Sequence, residues 1–204
     1  MAKRKPSTLK RLTDPKALRA LAHPIRLELV GLLRQRGPLT ATKAAELLGE
    51  SSGSTSFHLR QLAKYGLVEE AGGGRGRERP WRATAMFTGW PDIADSPELA
   101  AASGLLREVI AERYFEQLMR WLARHDDQPK DWQEATHFGD TLLWLTAEEL
   151  RELGREEQAL IERYLDRQMS PELRPPGARL VTHLHLAFPT DVDGTSEAGR
   201  GRRD

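Results

Sequence analysis

Cysteine is absent from the 204 residues of this chain, which excludes disulfide bonds and thiolate metal sites. No apolar run approaches the roughly 18–20 residues of a membrane-spanning helix. The basic start, MAKRKPSTLK, is not followed by the ~7–15 apolar residues of a secretion signal. We therefore expect a cytoplasmic protein with no membrane partner.

Motifs of catalysis are missing as well. The sequence contains no nucleophile motif and no His/carboxylate spacing typical of a catalytic metal, and the glycines at 72–74 lack the strand-to-helix context of a nucleotide fold. His183 and His185 could bind zinc or nickel with a third ligand such as His137. An ordinary half-exposed strand face is the explanation we favour, so we expect no metal site, and we also expect no enzyme activity and no cofactor.

Net charge is close to zero, at +1, but it is unevenly distributed. Residues 1–90 contain 17 lysines and arginines against 7 aspartates and glutamates, a net charge of +10. Residues 91–204 contain 14 against 23, a net charge of −9. A basic half joined to an acidic half indicates a module that binds a polyanion and a second part that does not.

Helix signals dominate the basic half. Asp14, followed by proline, is typical of a helix start, and a second helix is predicted to begin at Pro24. Thr40 is expected to cap a third helix, which Gly49 ends. Three short helices in succession predict a small helical domain.

Strand signals follow those helices. A fourth helix is predicted over residues 52–65, and two strands over 67–71 and 77–84 flank a glycine-rich loop. Helix, turn, helix and hairpin in this order are the plan of a winged helix-turn-helix that reads DNA. We place this domain at 13–90, after a flexible basic arm at 1–12.

The fourth helix has two distinct faces at about 100° per residue. Thr55, Leu59 and Leu62 share one side, which we expect to be buried. The opposite side carries no acid and includes side chains that hydrogen-bond base edges in the major groove. Its residues are Gly53, Ser56, Phe57, Arg60, Gln61 and Lys64.

Other residues of this helix are candidates for phosphate contacts. Ser52 and Ser54 lie at its N-terminus, which favours an anion. His58 flanks the inner face, so it is either a phosphate contact or a half-buried structural histidine. Phe57 is predicted to meet a thymine methyl group or a sugar, although it could instead pack against its own protein.

The loop GGGRGRERP places Arg75, Arg77 and Arg79 on a glycine-rich tip with one acid. Glycines allow the tip to move, and arginines favour the DNA backbone or minor groove. The alternative is a solvated hairpin tip. With a helix-turn-helix pattern before it, the loop (71–80) is predicted to be a DNA-contacting wing.

The runs LAHPIRLELVGLL (21–33) and STSFHLRQLAKYGLVEE (54–70), with the wing after them, resemble the winged helix-turn-helix regulators of the ArsR type. The resemblance covers residues 14–84. It implies a homodimer that acts as a transcriptional repressor or activator, with residues 52–64 in the major groove. Metal-sensing members use cysteine motifs that this chain lacks, so sensing by that route is excluded.

The acidic half has a different pattern. We place the domain boundary at about residue 90 and predict a long dimerisation helix from Pro97 to about Arg124. A strand at 136–146, a helix capped by Thr146 and a strand at 178–188 are expected next, followed by a disordered tail at 189–204. The region 97–188 could hold a small-molecule effector with the help of a dimer partner, but the sequence does not indicate which effector.

The fold expected from the sequence is mainly α with small β structure (α+β). It consists of a winged helix-turn-helix domain, a long dimerisation helix and a small strand–helix–strand segment. The expected function is sequence-specific binding of double-stranded DNA by a homodimeric transcriptional regulator. The alternative is a winged helix that docks proteins without sequence-specific DNA binding.

Overall fold

The computed structural model describes residues 7–74 and 78–190. Contacts divide the chain into two compact units, one ending at His137 and one starting at Phe138. The helices of the first unit are α1 (Pro15–Leu21), α2 (Pro24–Arg36), α3 (Ala41–Leu48), α4 (Ser52–Lys64), α5 (Pro97–Leu122) and α6 (Lys130–Ala135). Its strands are β1 (Ser7–Arg11), β2 (Val68–Glu70), β3 (Trp81–Ala83) and β4 (Ala85–Gly89).

Short-range caps define the starts of the first helices, as predicted. The Asp14 carboxylate accepts a hydrogen bond from the backbone N–H of Lys16 at 2.8 Å, which starts α1. The Thr40 hydroxyl accepts from the N–H of Lys43 at 3.2 Å at the start of α3. Gly49 ends α3 with φ of +72°, a conformation that glycine adopts without strain.

The wing is an antiparallel pair of β2 and β3, in which Val68 faces Ala83 and Glu70 faces Trp81. Trp81 also exchanges backbone hydrogen bonds with Leu39, at 2.8 and 3.0 Å. This bridge ties the wing to the segment before α3. The order of helix, turn, helix and hairpin is that of the predicted winged helix-turn-helix.

A second two-stranded sheet corrects the expectation of a flexible arm at 1–12. Strand β1 pairs in parallel with β4, Ser7 with Ala85 and Arg11 with Gly89, and the next residue, Leu12, is buried. Residues 7–12 are therefore part of the fold, because β4 supplies the backbone partners that the sequence did not reveal. Residues 1–6 lie outside the described part of the chain.

One hydrophobic core unites α1 to α5 with the wing. Leu18 and Leu29 are fully buried in it, as are Leu59, Leu62 and Leu106. Each such side chain contributes roughly 1.5–3 kcal/mol through its removal from water. Because the core includes the start of α5, this helix belongs to the first unit.

The domain boundary expected near residue 90 therefore needs correction. Helix α5 has the predicted length, but Leu99, Ala102 and Leu106 pack into the core beside α1. The division into units lies after His137. The net charge of the sequence changes sign near residue 90, but charged side chains lie on the surface. Their distribution therefore does not show where one hydrophobic core ends.

The second unit contains α7 (Ala147–Met169) and a short 3-10 turn at Pro171–Leu173. Thr146 and Glu149 form the predicted capping box, with the Thr146 N–H donating to the Glu149 carboxylate at 2.7 Å. The strands expected at 136–146 and 178–188 are not formed, because the described backbone there belongs to neither of the two sheets. The expected tail at 189–204 lies outside the described residues from 191 onward.

Candidate nucleic-acid interface

Helices α3 and α4 are joined by a short turn of defined geometry. The N–H of Glu50 donates to the carbonyl of Ala45 at 3.0 Å, which closes the end of α3. The Ser51 hydroxyl then accepts from the N–H of Ser54 at 3.1 Å and caps α4. Ser51 is therefore the cap, while Ser52 stands exposed in the first turn of α4 and Ser54 is half-buried.

The inner face of α4 is as predicted. Thr55, Leu59 and Leu62 are fully buried against α2, α3 and the wing. Burial of these three side chains fixes the rotation of the helix about its axis. The opposite side is consequently presented to solvent.

That outer face is defined here as Gly53, Ser56, Phe57, Arg60, Gln61 and Lys64. Phe57 is 51% exposed, and its ring meets the edge of the His58 ring with centroids 5.4 Å apart. The Lys64 ammonium lies 5.7 Å from the centroid of the Tyr65 ring. Arg60 is exposed, Ser56 and Gln61 are half-buried, and no acidic residue occurs in α4.

The wing beside α4 carries partly paired charges. The Arg79 guanidinium lies 3.2 Å from the Glu70 carboxylate, and both side chains are exposed. Arg82 is bound to Glu69 at 2.8 Å. Arg75 and Arg77 lie outside the described residues. Arg79 is the one of the three predicted wing arginines that lies within the described residues. Its exposed ion pair with Glu70 is weak, so a DNA phosphate could replace the carboxylate.

A groove runs between the start of α3, the outer face of α4 and the wing. It brings together residues that the sequence interpretation treated separately, and it adds Thr42, Lys43 and Trp81, which that interpretation missed. Thr42 and Lys43 follow the predicted N-cap Thr40, so the sequence places them in the first turn of α3. The lining residues are Thr40, Ala41, Thr42, Lys43, Glu46, Ser56, Arg60, Glu70, Glu78, Arg79 and Trp81.

His58 is more deeply buried than expected, with 9% of its surface exposed. Its ring packs on the ring of His23, the residue before α2, with centroids 4.7 Å apart. Burial, followed by the positive charge of Arg26, lowers the pKa of both histidines. Both rings are therefore neutral near pH 7.

In the described part of the chain, no group of three or more His, Cys, Asp or Glu side chains has the geometry of a metal site. His183 and His185 lie close together, with ring centroids 4.2 Å apart, and His185 Nδ1 is 3.0 Å from a carboxylate oxygen of Glu157. His137, the third ligand considered, belongs to the other unit. Separately, none of the described helices combines the length and apolar character of a membrane span.

Parts of this chain are similar to a known domain family and to solved structures. Residues 21–71 match a family model described as a helix-turn-helix domain. A similar solved structure is that of the homodimeric winged helix-turn-helix DNA-binding domain, fragment 1–100, of a possible ArsR-family transcriptional regulator from Mycobacterium bovis. It is 24% identical, with a TM-score of 0.31, over 48% of this chain and 77% of that one. None of the curated proteins compared matches the chain.

The fold class predicted from the sequence is confirmed in its main features. The chain is mainly helical with small sheets, and its N-terminal part contains a winged helix-turn-helix domain. The family match spans about a quarter of the chain, so it defines a domain and not the whole protein.

Proposed function

We propose that this protein is a sequence-specific DNA-binding transcriptional regulator of the ArsR type. Two copies bind an inverted repeat, each with α4 in the major groove and the wing on the backbone or minor groove. The observation that carries the proposal is the outer face of α4, which is exposed, free of acid and bordered by the groove to the wing. Such a face suits direct reading of base edges.

Residue roles follow from position on α4 and the wing. Arg60 and Gln61 hydrogen-bond base edges, with Ser56 beside them, and Phe57 contacts a thymine methyl group or a sugar. Lys64 neutralises a phosphate. The remaining phosphate contacts come from the start of α4 and from the wing, namely Ser52, Ser54, His58, Arg75, Arg77 and Arg79.

The second half of α5 supports the homodimer. Beyond its buried start, this helix exposes Phe115, Met119 and Leu122. Apolar side chains in one stripe of a helix favour a partner surface. Dimeric readers of this kind hold their recognition helices on half-sites about 34–36 Å apart, a spacing that a second copy packed along α5 would have to meet.

Selection of bound sequences from a random duplex pool, with the full-length protein at near-physiological salt, tests the proposal. We expect enrichment of an inverted repeat. Arg60→Ala should then relax sequence choice, and Arg79→Ala should weaken all duplexes alike. Arg155→Ala, an exposed arginine on α7, is the matched control and should change neither. Equal loss on every duplex for Arg60→Ala would contradict the assignment of the outer face.

The alternative function, a winged helix that docks proteins, has one observation in its favour. The groove also contains Glu46, Glu70 and Glu78, which repel phosphate unless their basic partners offset them. Retention of duplexes without enrichment would indicate charge-driven, non-specific binding. Absence of any retention at low salt would favour the docking function.

A further inference from the structure

Unpartnered polar atoms concentrate where the start of α2 meets α4. In the described residues, five buried side-chain nitrogen or oxygen atoms have no hydrogen-bond partner, and three of them are His23 Nδ1, Arg26 Nε and His58 Nδ1. The rings of His23 and His58 touch, and Arg26 interacts electrostatically with both. Because buried polar groups are almost always bonded, this concentration needs a further partner, and the partly exposed side chains of His23 and Arg26 leave one side of the cluster open to it.

The chemistry of the cluster specifies that partner. The Arg26 guanidinium can only donate hydrogen bonds, and each histidine ring can donate one. His23 occupies the N-cap of α2 without making a side-chain cap bond, and the first N–H groups of a helix lack acceptors within it. Donors therefore predominate, so the matching ligand is an acceptor.

The charge around these three side chains indicates the charge of the ligand. Among the described residues, no carboxylate hydrogen-bonds to His23 Nδ1, Arg26 Nε or His58 Nδ1. Glu50 acts on His58, and Tyr65 on Arg26, only through longer-range electrostatics. A partly buried cation beside the positive end of a helix, with no anion bound to it, favours an oxyanion.

We propose that His23, Arg26 and His58 form an oxyanion site, and that a backbone phosphate of bound DNA fills it. The site rests on the proposed function and deepens it. His58 connects the site to the reading surface, because its buried ring meets Phe57 on the outer face of α4. A phosphate held there would fix the register of α4 on the duplex.

Phosphate binding at this site makes DNA affinity depend on pH. In the free protein the pKa of both histidines is lowered, first by burial and then by Arg26. A phosphate supplies the missing negative charge and raises these pKa values in the complex. Between the two values the complex holds more protons than the free protein, so affinity increases as the pH falls.

The test measures the affinity of the full-length protein for its selected duplex between pH 7.5 and 6.0. For wild type we expect a rise of several-fold, bounded by about tenfold per pH unit for each histidine that takes up a proton. His58→Gln, which cannot titrate, should lose the part of this rise that His58 contributes, and His23→Gln/His58→Gln should lose most of it. His125→Gln, a partly exposed histidine outside the helix-turn-helix, is the matched control and should keep it.

Salt dependence gives a readout that does not rely on histidine. Arg26→Gln should reduce the slope of log affinity against log salt by about one, the loss of one phosphate contact. Circular dichroism of each variant verifies the fold, and this second variant decides the matter if His58→Gln does not fold. An unchanged pH dependence in His58→Gln, or an unchanged salt slope in Arg26→Gln, would overturn the proposal.

A second arm separates this site from the DNA-binding function. NMR titration of the His23 and His58 rings with inorganic phosphate, without DNA, measures the oxyanion site alone. If wild type binds no duplex, the assignment to DNA fails together with the proposed function. A phosphate-induced rise in either pKa would then retain an oxyanion site for free phosphate, and no rise would reject the site entirely.

Discussion

Replacement of Thr55 by valine should stabilise the first unit. Thr55 is fully buried on the inner face of α4, between the turn and Leu59, and no described residue hydrogen-bonds to its hydroxyl. Valine has nearly the same shape, with a methyl group in place of the hydroxyl. The substitution therefore removes an unpaired polar group and leaves no cavity.

The magnitude follows from two terms. An unpaired hydroxyl in an apolar interior costs about 1–3 kcal/mol in protein mutational data. Threonine and valine are both β-branched, so their helix propensities nearly cancel. We expect a gain of about 1 kcal/mol for Thr55→Val, or roughly 2–4 °C in Tm for a chain of this size.

Urea unfolding of the full-length protein measures this gain as a higher midpoint at an unchanged slope. Thr42→Val, at an exposed position of α3, is the matched control and should stay within about 0.5 kcal/mol of wild type. A loss of about 1 kcal/mol or more for Thr55→Val, with the control unaffected, would show that the hydroxyl has a partner. The reasoning from burial would then be refuted.

Three other substitutions or conditions have expected outcomes. Folding lowers the pKa values of His23 and His58 from 6.5, so the unfolded chain binds more protons than the folded chain below that pH. The free energy of unfolding should therefore be constant above about pH 6.5 and decrease below it, which a falling urea midpoint measures. The double variant His23→Gln/His58→Gln should show a smaller decrease. Leu62→Ala removes a fully buried side chain and should cost about 2–5 kcal/mol by the same assay. Thr146→Ala breaks the capping box with Glu149 and should weaken the first turn of α7 by about 1 kcal/mol, seen as faster amide exchange there; exchange equal to wild type would contradict the cap.

Helix starts and faces in both units could be predicted because their causes are local. A cap bonds a side chain to a backbone N–H two or three residues away, as at Asp14, Thr40 and Thr146. The buried side of α4 follows from the helical period alone. Neither requires knowledge of distant parts of the chain.

Strands were predicted less well because a strand needs a partner. The pattern at 178–188 shows one apolar side, but this segment belongs to neither of the described sheets, and Leu186 remains exposed. The reverse error occurred at β1, where Ser7 pairs with Ala85 across a long stretch of sequence. Alternation of apolar and polar side chains indicates which face of a strand could be buried. It does not indicate which other segment of the chain would pair with that strand.

The candidate site was predicted in part for the same reason. Exposure of Phe57 and Arg60 follows from the rotation of α4, which the sequence specifies. The contact of His58 with His23 depends on how α2 crosses α4, and no pattern in either helix reveals that crossing. The groove residues Thr42 and Lys43 likewise became apparent only when α3 was placed beside the wing.

The packing of α5 connects the reading surface to the proposed dimer. Leu99, Ala102 and Leu106 anchor the start of this helix in the core that also holds Leu59 and Leu62 of α4. A helix of 26 residues extends about 39 Å, and its second half, which exposes Phe115, Met119 and Leu122, lies beyond these three residues. If two copies meet along that half, as proposed, the separation of their α4 helices is set by the angle at which the α5 helices cross. A ligand or substitution that changes this crossing angle would then alter DNA affinity without touching α4.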